Sequence, residues 1–397
     1  MNYMKYFFVL GTNTDLSVAE LAAVLDLKDV KLLAPDFLIW ETKTEINPET
    51  LMQRLGGTIK IGEIKEEIKD GDDNALLKNL TELAKIKKYQ SKEGKFNFGF
   101  SDYGKFQFNK QNLGLKLKKY FSQEDISSRF VISREKTLSS VVVTQNKLLT
   151  RGIEFVLIKH DNKILIGETI SVQPFKDLSR RDYGRPARDD QSGMLPPKLA
   201  QIMINLAQVR NAEDVIIDPF CGSGTILSEA MLAGYKHLFG SDLSAKAIDD
   251  THKNISWIRE LYNLKDIKVK ILVKNVTNLS KFIKAKSAEA IITEPFLGPQ
   301  RGMINFKVVM SNLETLYSDA LKQFNIVLKA GGRVVMIWPM FYGQKPITPN
   351  YTGFKMVNMI PENLRESEFI KKTYRPTIIY GRPGQKVYRE IVVLEKE

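Results

Sequence analysis

Cysteine is almost missing from this chain: of its 397 residues one is a cysteine, Cys221. An internal disulfide framework is therefore excluded, and the chain suits a reducing cytoplasm. Histidine is nearly as scarce. His160, His237 and His252 are scattered and no second thiol is available, so no zinc site is expected. Long apolar runs are lacking too. The stretch Tyr6-Phe-Phe-Val-Leu10 stops at Gly11, with Asp15 and Glu20 soon after, and reads as a strand, so no membrane span is expected. Only 15 prolines, against 43% hydrophobic residues, argue against extended disorder. No internal repeat or low-complexity tract is visible.

Acids are outnumbered, 46 against 59 basic residues, for a net charge of +13. Such an excess favours a polyanionic partner such as nucleic acid. The length allows two or three domains with real cores.

The most informative stretch is Val215-Ile-Ile-Asp-Pro-Phe-Cys-Gly-Ser-Gly-Thr225, followed by the helical run Ile226–Ala233. A β-branched strand, a tight glycine turn and a helix start form the junction where α/β folds hold nucleotide-like ligands. Two common ligands are disfavoured. The third glycine of a dinucleotide fingerprint is replaced by Leu227, and no P-loop lysine follows Gly224. Asp218, at the strand end, would repel a pyrophosphate but suits a cationic ligand such as S-adenosylmethionine. The next strand, His237-Leu-Phe-Gly-Ser-Asp242, ends in a second acid where ribose hydroxyls lie in nucleotide folds. Cys221, inside the turn, reads as a small residue in a tight place.

Asp218-Pro-Phe-Cys-Gly-Ser-Gly-Thr225 resembles the cofactor motif of class I amino-methyltransferases, especially the RNA guanine-N2 group. Arg181-Asp-Tyr-Gly-Arg-Pro-Ala-Arg-Asp189 and Ser192-Gly-Met-Leu-Pro-Pro-Lys-Leu-Ala200 narrow the resemblance to archaeal-type tRNA (guanine-10-N2) methyltransferases, which carry an N-terminal THUMP domain. The resemblance implies that Asp218, Gly222 and Gly224 hold the methionine part of S-adenosylmethionine, Asp242 the ribose and Asn275 the adenine. Phe220, Thr225 and Leu243 complete the cofactor set. Related enzymes usually carry aspartate at the adenine position, and the side-chain oxygen of Asn275 can still accept a hydrogen bond.

A fourth strand, Ala288–Thr293, leads into Glu294-Pro-Phe-Leu-Gly-Pro299, where the related enzymes carry Asp/Asn-Pro-Pro-Phe/Tyr. There an acceptor side chain and a backbone carbonyl present an exocyclic amino group, while an aromatic ring stacks the base. Aligned through Thr293, Glu294 takes the acid position and Leu297 the aromatic one. Aligned through Pro295 and Phe296, Thr293 takes the acid position. Glu294 as acceptor, Pro295 as the rigid turn and Phe296 as the stacking ring preserve both functions.

Between Lys85 and Tyr120 lysines are interleaved with aromatics. Phe96, Phe98 and Phe100 alternate, as do Phe106 and Phe108, which predicts one packed face of a hairpin. Leu113–Tyr120 predicts a helix with a basic side, and Leu138–Val143 predicts a strand. Lys105, Lys116, Lys118 and Lys119 are the candidate RNA contacts, as lysines give sequence-independent phosphate contacts. Arg181 and Arg185 are expected either to bridge domains by ion pairs or to touch RNA. Lys371, Lys372, Arg375, Arg382, Lys386 and Arg389 make the C-terminal end basic and could add phosphate contacts.

The expected architecture is α/β: a Rossmann-like class I methyltransferase domain with a seven-stranded mixed sheet, preceded by α+β N-terminal and THUMP-like RNA-binding modules. The expected boundaries are an N-terminal module over 1–58, a THUMP-like domain over 59–167, a structured linker over 168–192 and a methyltransferase domain over 193–397. The expected activity is S-adenosylmethionine-dependent methylation of an exocyclic amino group, guanine N2 in tRNA, without a metal. A DNA adenine-N6 methyltransferase and a non-catalytic RNA-binding protein are the alternatives. Oligomeric state is not legible, and a monomer is compatible with the sequence.

Overall fold

The computed structural model describes residues 3–91, 94–188, 194–299, 305–342 and 345–397. Two compact units result. The first comprises Met1–Thr14, Leu27–Phe175 and Glu362–Ile370, the second Asp15–Asp26, Lys176–Pro361 and Lys371–Glu397. Among the described residues no helix is long and apolar enough to cross a membrane.

The chain begins with β1 (Met4–Leu10), α1 (Thr14–Val24), β2 (Val30–Ala34), β3 (Phe37–Thr42), α2 (Pro48–Arg54) and β4 (Thr58–Lys69). It continues through α3 (Asp73–Gln90), β5 (Phe96–Tyr103), α4 (Lys110–Gln123), β6 (Ser128–Val131), α5 (Ser140–Gln145), β7 (Gly152–His160) and β8 (Lys163–Val172). The eight strands form one sheet in the order β2-β3-β1-β4-β8-β7-β5-β6. Side-chain alternation along β7 explains how it is covered. Ile153, Phe155 and Leu157 join a core with Leu76 and Leu80 of α3 and Leu117 and Phe121 of α4. Val156 and Ile158 join a separate core with Phe7, Phe37 and Tyr103. Lys60 and Glu154 form a buried ion pair, completed by Ser101, by Thr169 at 2.7 Å and by the Leu138 carbonyl at 2.6 Å.

Two expectations fail here. Residues 140–145 are helical, although valine-rich sequence predicts a strand. The Ser139 hydroxyl caps this helix by accepting from the Val142 N–H at 3.2 Å, and burial of Val143 and Leu148 on one side overrides β propensity. Phe96, Phe98 and Phe100 are core residues, as expected, but β5 pairs in parallel with both β6 and β7, so the expected hairpin does not form there, and Phe106 and Phe108 lie outside any strand.

The second unit contains α6 (Phe175–Tyr183), α7 (Pro197–Leu206), β9 (Val215–Asp218), α8 (Thr225–Leu232), β10 (His237–Asp242), α9 (Ala245–Leu261), β11 (Lys268–Val273) and β12 (Ala288–Thr293). After α10 (Phe306–Val327) come β13 (Leu328–Phe341), β14 (Lys345–Pro346), β15 (Phe354–Met356), β16 (Ile378–Tyr380) and β17 (Val387–Lys396). The sheet runs β11-β10-β9-β12-β13-β17-β15, with β14 and β16 as short additions. Its first five strands are parallel and β17 is antiparallel. Ile216, Ile217, Ile291, Ile292 and Val334–Trp338 are fully buried, as strands covered on both faces require.

Strand order reverses between β9 and β12. Such a switch point opens a crevice beyond the carboxyl ends of the strands, where open α/β sheets bind ligands. Because β17 is antiparallel, its beginning lies along that same edge. The segment 15–26 also belongs to this unit: Asn205 donates to Glu20 at 2.8 Å, and the Lys371 N–H donates to Asp15 at 3.2 Å.

Candidate cofactor and acceptor site

Asp218 ends β9 at the switch point and is 1% exposed. Its Oδ1 accepts from the Thr293 hydroxyl at 2.7 Å and the Phe220 N–H at 3.3 Å. Burial pushes its carboxyl up to about 7, against those two hydrogen bonds, and the nearby Asp242 and Glu294 add to the rise. A buried carboxyl crowded by two others is built for a cation.

The turn after Asp218 is held from several sides. The Gly222 N–H donates to Asp242 Oδ2 at 3.0 Å, and the Ser244 N–H donates to Asp242 Oδ1 at 2.9 Å. From α9, Thr251 donates to the Gly222 carbonyl at 2.6 Å and Asn254 to the Ser223 carbonyl at 2.8 Å. Gly222 and Gly224 both have positive φ, 50° and 83°. A Cβ on Gly224 would lie 2.8 Å from the Thr251 methyl, whereas one on Gly222 would meet nothing within 4 Å. Gly224 is thus required by packing, while Gly222 borders open space with its N–H on Asp242.

Thr225 opens α8, and its hydroxyl accepts from Arg185 at 2.7 Å. Phe220 is half-buried, and Leu243 is 73% exposed directly after Asp242. The thiol of Cys221 is buried, 3.8 Å from the Thr251 hydroxyl, and pushed well upward by that burial, which keeps it neutral. Asn275 stands beyond β11, but its oxygen already accepts from the N–H (3.0 Å) and hydroxyl (2.9 Å) of Thr277. Capping has taken the acceptor expected to meet an adenine amino group, and the Asn275 amide N–H group is the part left for a ligand.

Glu294 follows β12. Its Oε1 accepts from Arg389 Nε at 2.5 Å. Burial pushes this carboxyl upward while Arg389 pulls it down. Pro295 is buried, Leu297 is buried, and Phe296 is 62% exposed, so Phe296 is the ring free to stack. The Tyr317 hydroxyl, from α10, donates to the Phe296 carbonyl at 2.9 Å and fixes the turn.

Sequence reasoning missed Thr251, Asn254, Tyr317 and Arg389. Thr251 and Asn254 left a trace, since polar residues three apart occupy the buried face of α9. Arg389 is also a correction: a C-terminal arginine expected to contact phosphate pairs with Glu294 instead.

Arg181 and Arg185 are buried as well. Arg181 grips Glu229 in bidentate fashion, at 2.8 and 3.1 Å, and also pairs with Asp177. Arg185 donates to Thr225 and, at 3.0 Å, to the Arg181 carbonyl. Their donors are engaged inside the unit, which removes them from the RNA-contact set. Asp189, Ser192 and Gly193 lie outside the described residues. In the first unit Lys105, Lys116, Lys118 and Lys119 are all exposed. Among the described residues no group of His, Cys, Asp or Glu could hold a metal ion.

A family model described as RMKL-like, methyltransferase domain, matches residues 185–342, which contain Asp218, Asp242 and Glu294 but not Arg389. A tRNA (guanine(10)-N2)-dimethyltransferase of Pyrococcus abyssi is 25% identical over 386 residues, 92% of this chain and 97% of that one. One from Methanocaldococcus jannaschii is 32% identical over 175 residues, 42% of this chain and 45% of the relative. A Methanothermococcus thermolithotrophicus protein named "Probable tRNA (guanine(10)-N2)-dimethyltransferase" is 30% identical over 142 residues, 35% of this chain and 82% of that one. The chain belongs to the tRNA (guanine(10)-N2)-dimethyltransferase family. A second family model, described as DNA methylase, matches residues 36–254 and sets the chain within that wider methylase family too, though its match stops before Glu294. Among solved structures, TrmN from Thermus thermophilus aligns with a TM-score of 0.56 at 18% identity, covering 99% of this chain and 100% of that one, and shares its fold. The protein is a methyltransferase of class I fold, and its cofactor is S-adenosylmethionine. The residues present fit that cofactor: Asp218 is a buried carboxyl suited to a cationic group, and Gly222 leaves room for backbone contact.

Proposed function

We propose that this family member methylates the exocyclic N2 of a guanine in tRNA. The observation that carries the proposal is the turn Glu294-Pro295-Phe296, which sets an ion-paired carboxylate and an exposed ring beside Asp218. Bound in the crevice, the cofactor supplies a methyl group on positively charged sulfur. Asp218 faces its ammonium end, Asp242 the ribose, and Leu243 offers an apolar surface to the adenine. Glu294 accepts from the guanine amino group and aligns its nitrogen, while Phe296 stacks the extruded base. No strong base is needed, since the methylated nitrogen becomes acidic and releases its proton to Glu294 or water.

The exposed Lys105, Lys116, Lys118 and Lys119 support RNA docking by a THUMP-like domain over residues 59–167, in a cytoplasmic setting. The test is transfer of labelled methyl from S-adenosylmethionine to unmodified tRNA and to duplex DNA, followed by nucleoside mass spectrometry. N2-methylated guanosine from tRNA is expected. N6-methyladenine from DNA alone would overturn the proposal, and so would cofactor and tRNA binding without any methylated nucleoside.

A further inference from the structure

The Glu294–Arg389 pair has hydrogen-bonding capacity left over. Arg389 uses Nε on Glu294 Oε1, and among the described residues its Nη groups have no partner and Glu294 Oε2 has none. Neither side chain is sealed off: Arg389 is 19% exposed and Glu294 13%. A guanidinium is a rigid planar fork, so fixing Nε fixes where its Nη donors lie relative to the carboxylate. The pair therefore presents donors on one flank and an acceptor on the other, held in one arrangement by β17 and the end of β12.

That order of groups complements one base edge. Guanine shows an acceptor at O6 and donors at N1–H and N2–H, in that sequence. Adenine shows a donor at N6 and an acceptor at N1, which would set donor against donor and acceptor against carboxylate. A site built to hydrogen-bond specific groups rejects analogues that lack them far more strongly than an apolar pocket can.

We infer that Arg389 is a specificity-determining residue: its free Nη donors bind O6 of the target guanine while Glu294, held by Arg389, accepts from the N1–H and N2–H groups. The inference rests on the guanine-N2 activity proposed above and adds the discriminating side chain. Phe296 grips either purine face without preference, so selection falls to the paired charges. The arrangement also explains why a basic residue stands at the start of β17, on the edge where the parallel strands end.

The test compares two tRNA transcripts, one with guanine and one with 2,6-diaminopurine at the position that oligonucleotide mapping finds methylated. Diaminopurine keeps the reactive N2 amino group but reverses O6 and N1. Wild-type enzyme is expected to prefer guanine, by kcat/KM, about ten- to a hundredfold. In Arg389→Met that ratio should fall by about tenfold, with cofactor affinity by calorimetry unchanged. A merely structural role for Arg389 would lower both transcripts equally and leave the ratio in place, which overturns the inference while leaving guanine methylation standing. In Arg389→Lys, which keeps the charge beside Glu294 but not the planar fork, the ratio should also fall; an unchanged ratio there would count against O6 binding by the fork. Wild-type enzyme that transfers no methyl to guanine would remove the functional proposal, and this inference with it.

Discussion

The hydroxyl of Thr293 donates a 2.7 Å hydrogen bond to Oδ1 of Asp218, joining the end of β12 to the end of β9 across the switch point. It steadies the ionised carboxylate against its burial. Thr293→Val keeps the shape and deletes the donor. Cofactor affinity should fall by about tenfold or more, the usual size for a hydrogen bond to a charged group, as measured by calorimetry.

Asp218 also gives the cofactor a pH dependence. Its carboxyl sits near 7 in the ligand-free protein, raised from its ordinary value. A cationic ligand favours the ionised form, so binding should release a proton and weaken as pH falls through about 7. Calorimetry in buffers of different ionisation enthalpy measures that proton. The sign reverses for stability: the raised carboxyl contributes stability to the ligand-free fold below the ordinary carboxylate range, and that contribution is lost as pH rises through about 7. Asp218→Asn should abolish the proton release.

Gly222 and Gly224 should separate two kinds of defect. Gly224→Ala combines positive φ with a 2.8 Å approach to Thr251 and should cost about 1–3 kcal/mol of stability in urea unfolding. Gly222→Ala faces only the backbone cost of about 1–2 kcal/mol, yet its methyl enters the open space over the turn whose N–H meets Asp242 and should abolish cofactor binding.

Glu294→Gln removes a negative charge that raises Asp218. The easier ionisation of Asp218 and the lost attraction of Glu294 for a cation oppose each other, so cofactor binding should change little, while methyl transfer falls by about a hundredfold through misplacement of the amino group. Single-turnover rates with saturating cofactor check both halves.

The buried and exposed basic residues should behave in opposite ways. Arg181→Met leaves Glu229 buried and unpaired and should cost about 3–5 kcal/mol of stability. The triple change Lys116→Ala, Lys118→Ala and Lys119→Ala should leave stability intact, weaken tRNA binding and flatten its salt dependence, by about 0.7–0.9 in slope for each lost phosphate contact.

The strand–turn–helix from Val215 to Leu232 was readable because local features determine it: a β-branched run, glycines where φ is positive, and a helix start. Glu294 was readable by its place after a buried strand. Arg389 was not, since 95 residues separate it from its partner and nothing local announces that the start of β17 comes beside the end of β12, one strand away across β13. For the arginines near 181 sequence left ion pairing and RNA contact open, because Glu229 and Thr225 are far along the chain; of their partners only those near in sequence, such as Asp177 for Arg181, could be seen. At 140–145 a serine cap and one buried face outweighed three valines. At Asn275 a neighbouring threonine claimed the oxygen, a competition that residue type alone does not show.

The two units are interleaved along the chain. Residues 15–26 are counted with the second unit and 362–370 with the first, where Asn363 donates to the Val30 carbonyl at 3.3 Å. No single cut yields two whole halves. A fragment beginning near residue 176 would lack the strip bearing Asp15 and Glu20 and leave their partners uncovered, and a fragment ending there would lose the segment beside β2. Expressed separately, each piece should need the other's strand of sequence, added as a peptide or fused, before it folds.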